Sequence, residues 1–144
     1  MDVMPLVRLL QDKERTEVKP INVFTYSYLK SCRHKCPEGS TPRLVFVIKS
    51  AVPNFERREA IRQTWGYEKR FSDVDIRRVF LLGRLPSLPE QELAVDREDD
   101  RYGDIVQADF IDSYGNNTLK TMSGLKWVVE NCSGAQVVLL TKCL

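Results

Sequence analysis

Arg43-Leu44-Val45-Phe46-Val47-Ile48-Lys49-Ser50-Ala51-Val52-Pro53-Asn54-Phe55-Glu56-Arg57-Arg58-Glu59-Ala60-Ile61-Arg62-Gln63-Thr64-Trp65-Gly66 passes from an unbroken apolar run to a helix-forming one across a single turn. Leu44 to Ile48 is apolar at every position and rich in β-branched residues, as a strand buried on both faces of a parallel sheet requires. Pro53 and Asn54 make the turn. Asn54 can cap a helix predicted from about Glu56 to Trp65, with Glu56 as the acid of its first turn. Arg58 and Arg62 are spaced to share one face of that helix, and Ile61 with Trp65 predicts a second face pressed onto the sheet.

The same alternation continues outward. Ile76 to Leu82 is a second apolar strand ended by Gly83, and after Pro86 and Pro89 the segment Glu90 to Asp100 predicts a short exposed helix. Asp104 to Phe110 is a third, weaker strand. From Asn117 to Glu130 a helix follows, with Leu119, Met122, Leu125 and Val129 expected on its buried face. Gln136 to Thr141 opens a fourth strand. Strand and helix in turn predict an α/β fold with a mostly parallel sheet. Residues 1–42, punctuated by Pro5, Pro20, Pro37 and Pro42, read as an irregular stem or linker. Residues 43–144 then read as one α/β unit that closes on a fresh strand, as the N-terminal half of a larger domain does.

With 144 residues, 42% hydrophobic, 29% charged and a net charge of +2, the chain fits one globular domain or a large piece of one. That balance excludes neither end of the class by itself, but it gives no support to disorder or to a nucleic-acid tail. Arg57, Arg58, Arg62, Lys69 and Arg70 form a basic stretch, and Glu90, Glu92, Asp96, Glu98, Asp99 and Asp100 an acidic one. Such segregation is the pattern of solvated helix faces, with a basic site for an anionic ligand as the alternative. No apolar run approaches the ~20 residues of a membrane span. Met1 to Leu10 carries Asp2, Pro5 and Arg8, unlike a signal peptide.

Cys32 and Cys36 bracket His34, yet a structural zinc site needs a second close pair, which Cys132 and Cys143 do not form. Four cysteines together with the sequons Asn116-Asn117-Thr118 and Asn131-Cys132-Ser133 fit an oxidising compartment better.

Lys49 stands at the carboxyl end of the first strand, where open α/β sheets bind ligands. Arg58 and Arg62 repel each other by ~0.2–0.5 kcal/mol and call for an anion. A carboxylate from elsewhere in the fold and a diphosphate both qualify, and spacing alone puts the salt bridge slightly ahead. Neither Gly-x-Gly-x-x-Gly nor a phosphate-binding Gly-Lys-Ser/Thr loop is present, and one histidine without a Ser-centred elbow gives no hydrolase triad. Asp73-Val74-Asp75 superficially matches a metal-chelating Asp-x-Asp, but it precedes a strand where such ligands follow one, so a solvated turn is the better reading. Glu98-Asp99-Asp100 has the same weakness.

Three motifs in order carry a resemblance: Arg-Arg-x-x-Ile-Arg-x-Thr-Trp-Gly at 57–66, Phe-x-Leu-Gly at 80–83, and Asp-x-Tyr-x-Asn-x-Thr-x-Lys-Thr at 112–121. Over about Arg43 to Gln136 the chain resembles glycosyltransferase family 31, which contains β-1,3-galactosyltransferases and β-1,3-N-acetylglucosaminyltransferases. The resemblance implies a Rossmann-like nucleotide-sugar transferase domain of the GT-A type, incomplete in these residues. It implies transfer of galactose or N-acetylglucosamine from a UDP-sugar donor to a glycan acceptor, with Mn²⁺, in the Golgi membrane as a type II protein whose anchor is expected outside these residues.

Carried over by motif, Lys49, Ser50, Arg58, Arg62, Asp112 and Lys120 are expected to line the UDP-sugar cleft. Against this, Asn116 and Thr118 can simply cap a helix, and Asp112 and Lys120 can pair with the arginines. The family's metal-binding Asp-Asp-Asp-type motif and downstream base are expected after the fourth strand, where this chain reads Leu139-Leu140-Thr141-Lys142-Cys143-Leu144. No catalytic residue and no metal ligand is therefore assigned among these residues, and the chain is expected to be inactive as it stands. A bond from Cys32 or Cys36 to Cys132 is implied by the same resemblance, with Asn116 and Asn131 as glycosylation candidates. A binding module that keeps part of the UDP cleft is the alternative function. The confinement of the arginines to one strand-helix unit argues against a nucleic-acid partner.

Overall fold

A computed structural model describes residues 26–143. The part of the expected stem in residues 1–25 lies outside them. Five strands form one sheet: β1 (Tyr28–Lys30), β2 (Leu44–Lys49), β3 (Ile76–Arg84), β4 (Ile105–Ile111) and β5 (Val137–Lys142), in the spatial order β1-β4-β3-β2-β5. All pairs are parallel except β1 with β4. Three helices connect the parallel strands: α1 (Phe55–Gln63), α2 (Pro89–Tyr102) and α3 (Asn117–Asn131). The result is a mixed α/β fold compatible with part of a Rossmann-like domain.

Strand alternation sorts the core into two layers. Ile48, Phe80, Leu82 and Ile105 face α1 and α2 and enclose Ile61 and Val95. Val45, Val47, Val79, Leu81 and Val106 face the other way, against Trp127 of α3. Because both faces are covered at the centre of the sheet, Leu44–Ile48 of β2 and Val79–Leu82 of β3 are apolar at every position.

Five sequence expectations are corrected. Ordered structure does not begin at Arg43: β1 adds to the sheet edge, and Tyr28 donates from its hydroxyl to the Ser123 carbonyl at 2.7 Å. The arginine face of α1 is its buried face, since Arg58, Ile61 and Arg62 lie at i, i+3 and i+4, while Trp65 falls past the helix end, 39% exposed, edge-on to Phe46. Asn54 precedes α1 without a side-chain capping bond. On α3 the buried row is Lys120, Ser123, Gly124 and Trp127, whereas Leu119 and Met122 only flank Phe110 and Val129 is exposed. Gly124 decides this: a Cβ there would stand 2.5 Å from Leu81 Cδ1 and 3.0 Å from Val47 Cγ1, so only glycine lets the helix sit this close to the sheet.

The fifth correction concerns α2. It is framed by Pro89 in its first turn and by Gly103, in the left-handed region at φ 61°, after its last residue. It is not a wholly solvated acidic helix. Val95 anchors it on the sheet, and Glu98, one turn on, is carried inside with it at 3% exposure.

Candidate functional site

The order of the parallel strands reverses at β2. The chain steps from β2 to β3 to β4, then returns past β2 to lay β5 on its far side. Open α/β sheets bind ligands outside the carboxyl ends of the strands at such a reversal. Lys49 ends β2 there, and its register partner on β5 is Lys142.

The loop after β2 crosses this edge. Ser50 is buried and its amide donates to the Leu81 carbonyl at 3.0 Å. From the facing helix, Lys120 Nζ donates to the Ser50 carbonyl at 2.7 Å and to Asp112 Oδ1 at 2.6 Å. Asp112, just past β4, also accepts from the Val52 amide at 2.8 Å. Lys49 Nζ reaches Thr121 Oγ1 at 3.2 Å. Lys49, Ser50, Asp112 and Lys120 are thus brought together at this edge. Asp112 pairs with Lys120 and not with the arginines, which separates the two halves of the expected pairing.

The pKa of Lys49 is lowered, first by burial and then by the charges of Lys142 and Lys120. Three ammonium groups around one edge, with Asp112 tied to one of them, leave a surplus of positive charge. Sequence reading missed Lys142 and Thr121. The signal for Lys142 is its pairing with Lys49 across the sheet, which no linear spacing carries.

The two arginines lie beneath this edge. Arg58 is 1% exposed and donates to Glu98 Oε1 and Oε2 at 2.6 and 2.7 Å, to Ser50 Oγ at 3.0 Å, and to the carbonyls of Ala51 and Val52 at 2.7 and 3.0 Å. Arg62 donates to Asp104 through Nε and Nη2 at 2.8 Å, to Glu98 at 2.6 Å and to Glu59 at 3.1 Å. Burial alone works against the charge of Arg62, but its bonds to Asp104 and then Glu98 overcome that and raise its pKa. The salt-bridge reading of this pair holds. Arg58 reaches the loop of the site from below, and Arg62 is held by carboxylates on the α1 and α2 side of the sheet. Glu98 and Asp104, which make this possible, lie where the sequence predicts a solvated run and the start of a strand.

The described residues do not fit a Mn²⁺ site. They contain no group of three or more His, Cys, Asp or Glu side chains placed to share an ion, and Asp112 is committed to Lys120 and Val52. A shallow concavity of about 680 Å³ opens at the opposite end of the strands. Its Lys35 and Arg77 are paired with Glu68 and Asp75, at 2.7 Å each, so it offers no comparable charge surplus. We place the site at the carboxyl edge on charge and topology, not on concavity.

Cys36 is bonded to Cys132, with Cα atoms 5.3 Å apart, as one of the two expected pairings. Cys32 and Cys143 are free. The Cys32 thiol donates to the Gly103 carbonyl at 3.1 Å, and burial pushes its pKa up to about 12. Asn116 donates to the Ile111 carbonyl at 2.8 Å beside the site, and Asn131 to the Trp127 carbonyl at 3.2 Å at the far end of α3.

The galactosyltransferase family profile matches residues 56–142, which contain α1, the Asp112 loop and α3. The chain belongs to glycosyltransferase family 31. Over 119 residues it is 47% identical to "Beta-1,3-galactosyltransferase brn" of Drosophila melanogaster, covering 83% of this chain and 36% of that protein. Over 123 residues it is 41% identical to "Beta-1,3-galactosyltransferase 1" of Mus musculus, covering 85% of this chain and 37% of the relative. With "Beta-1,3-galactosyltransferase 5" of Pan paniscus it shares 44% over 100 residues, 69% of this chain and 33% of that one. This family 31 chain therefore spans about a third of the length of the curated relatives it matches.

Proposed function

We propose that the carboxyl edge around Lys49 is the diphosphate end of a UDP-sugar site, in a GT-A-type β-1,3-hexosyltransferase that moves galactose or N-acetylglucosamine onto a glycan. The observation that carries this is the convergence of Lys49, Lys120 and Lys142 at the strand-order reversal, a surplus of positive charge where the family's donor is expected. Ser50, Asp112 and Thr121 supply the polar groups that orient it, and Arg58 acts through Ser50.

The Cys36–Cys132 bond supports an oxidising compartment, in keeping with a Golgi lumen and with glycosylation at Asn116 and Asn131. Among the described residues no helix is long and apolar enough to cross a membrane, so a type II anchor is assigned to none of them. These 144 residues are assigned donor contacts and no turnover, because neither a metal-ligand set nor an acceptor base is identified among the described residues. Purified chain with Mn²⁺, labelled UDP-sugars and glycan acceptors is expected to give background counts, and turnover above a blank overturns that part.

Calorimetry with UDP tests the site itself. Partly exposed charges contribute ~1 kcal/mol or less each, so binding in the millimolar range is expected, weakened further by Lys49→Ala or Lys142→Ala. A UDP signal that ignores both substitutions sinks the assignment. A micromolar, Mn²⁺-independent signal would instead favour a binding module that does not need the rest of a transferase.

A further inference from the structure

Glu98 stands on the opposite layer from the lysine edge, yet it is joined to it by one side chain. Its two carboxylate oxygens are filled by Arg58 Nε and Nη2, and Oε2 also accepts from Arg62. Arg58 then spends its remaining donors on three consecutive residues of the loop after β2: Ser50 Oγ, the Ala51 carbonyl and the Val52 carbonyl. That loop is gripped from the site side too, since the Ser50 carbonyl accepts from Lys120 and the Val52 amide donates to Asp112. The loop therefore hangs between two clamps, and Glu98 is the part that aims the lower one.

A guanidinium can rotate about its long side chain, and burial at 1% exposure does not by itself fix its plane. A bidentate carboxylate does, because two parallel N–H···O bonds define both direction and plane. Without that reference Arg58 would still be buried beside the loop, but its Nη1 and Nη2 would have no fixed aim at Ser50, Ala51 and Val52. Groups that hold site residues in register are what keep a site within the tolerance binding requires.

We propose that Glu98 is a positioning residue for the carboxyl-edge site: it orients Arg58, and Arg58 sets the Ser50–Val52 loop that Lys120 and Asp112 hold from above. The proposal rests on the donor-site reading for its ligand, but loop order can be measured without one. Asp104 supplies the control. It is equally buried in the same network, at 0% exposure, but its side chain bonds Arg62 and Arg78 and not Arg58.

The test compares the full chain with Glu98→Gln, Glu98→Asp and Asp104→Asn, reading UDP affinity by calorimetry and amide exchange at Val52 by NMR. Glu98→Gln is expected to weaken UDP binding roughly tenfold, the scale seen when the groups behind a site's ligands are lost, and to strip the protection of the Val52 amide. Glu98→Asp, which keeps the charge, recovers part of both. Asp104→Asn lowers the melting temperature but keeps both readouts near those of the unaltered chain. If Glu98→Gln folds with unchanged Val52 protection, or if Asp104→Asn loses protection to the same degree, the positioning role falls. If the unaltered chain binds no UDP, the donor reading falls, and loss of Val52 protection in Glu98→Gln alone still assigns the loop to Glu98. Should Glu98→Gln not fold, Arg58→Lys replaces it: it keeps the charge but cannot serve three loop acceptors and Glu98 together, and intact Val52 protection there overturns the proposal.

Discussion

Two clusters of basic residues lie within one sheet's reach of each other and have opposite fates. Under α1 and α2, Arg58, Arg62 and Arg78 are enclosed by Glu98 and Asp104, and no buried side-chain N or O atom among the described residues lacks a partner. At the carboxyl edge, Asp112 is paired with Lys120, and burial followed by the charges of Lys142 and Lys120 lowers the pKa of Lys49. The first cluster is complete and so is structural. The second is incomplete in charge, and a group of like charges kept at a strand-order reversal is held there against its own repulsion, as ligand sites are. Basic residue types alone do not separate the two. Counter-charges brought from distant segments do.

The comparison is broken hardest at Asp104. Asp104→Ala removes the carboxylate that Arg62 and Arg78 share, leaving Arg62 with Glu98 and Glu59 and Arg78 with Glu68, and truncating one side of a buried pair costs about 3–5 kcal/mol. Urea unfolding is expected to register that loss. A change under 1 kcal/mol would mean that the cluster is wetter and less structural than its contacts indicate.

Next in size is the covalent tie on the other face. Cys132→Ser opens a bond spanning 96 residues, expected to cost about 2–4 kcal/mol in oxidised protein. Thermal melts of both forms with and without reductant check it, the variant being insensitive to the reductant.

The lysine edge should respond through ligand binding instead. Because the pKa of Lys49 is lowered, its ammonium is lost in the folded protein below the ordinary value of 10.5. UDP favours the charged form, so affinity is full below that lowered pKa and falls as pH rises through it, before 10.5 is reached. A UDP affinity that stays flat up to pH 10.5 excludes Lys49 from the contact. Its salt dependence should follow the same logic, weakening as ionic strength rises.

The smallest effect sharpens the contrast most. Lys142→Met, at an exposed strand terminus facing two other lysines, is expected to shift stability by no more than about 0.5 kcal/mol, with any change toward greater stability. A loss comparable to that of Asp104→Ala would make the lysine edge structural as well and erase the distinction.

Much of the fold was legible before any coordinates. The unbroken apolar run at Leu44–Ile48 predicted a strand covered on both faces and Ile76–Leu82 a second apolar strand, and β2 and β3 are those strands. Helices at Glu56, Glu90 and Asn117 were found to within a few residues at their starts. Their orientations were less legible. Spacing alone makes Arg58 and Arg62 a face awaiting a partner and Leu119 to Val129 the buried stripe of α3, because hydropathy assigns arginine and lysine outward. That rule fails wherever a carboxylate or carbonyl is waiting inside.

By itself the sequence determined the family, the α/β alternation, the turn after β2 and the set of cysteines from which the bridge is drawn. Those follow from local periodicity, motif order and residue type, which are properties of neighbours along the chain. Only the tertiary structure decided that Lys142 stands beside Lys49, that Glu98 aims Arg58 at Ser50, and that Cys36 rather than Cys32 reaches Cys132. These join segments 40 to 96 residues apart, through strand register and helix packing. Charge pairing and bond formation act over a few ångströms in space, so which partners meet is fixed by how the layers close and not by distance along the chain.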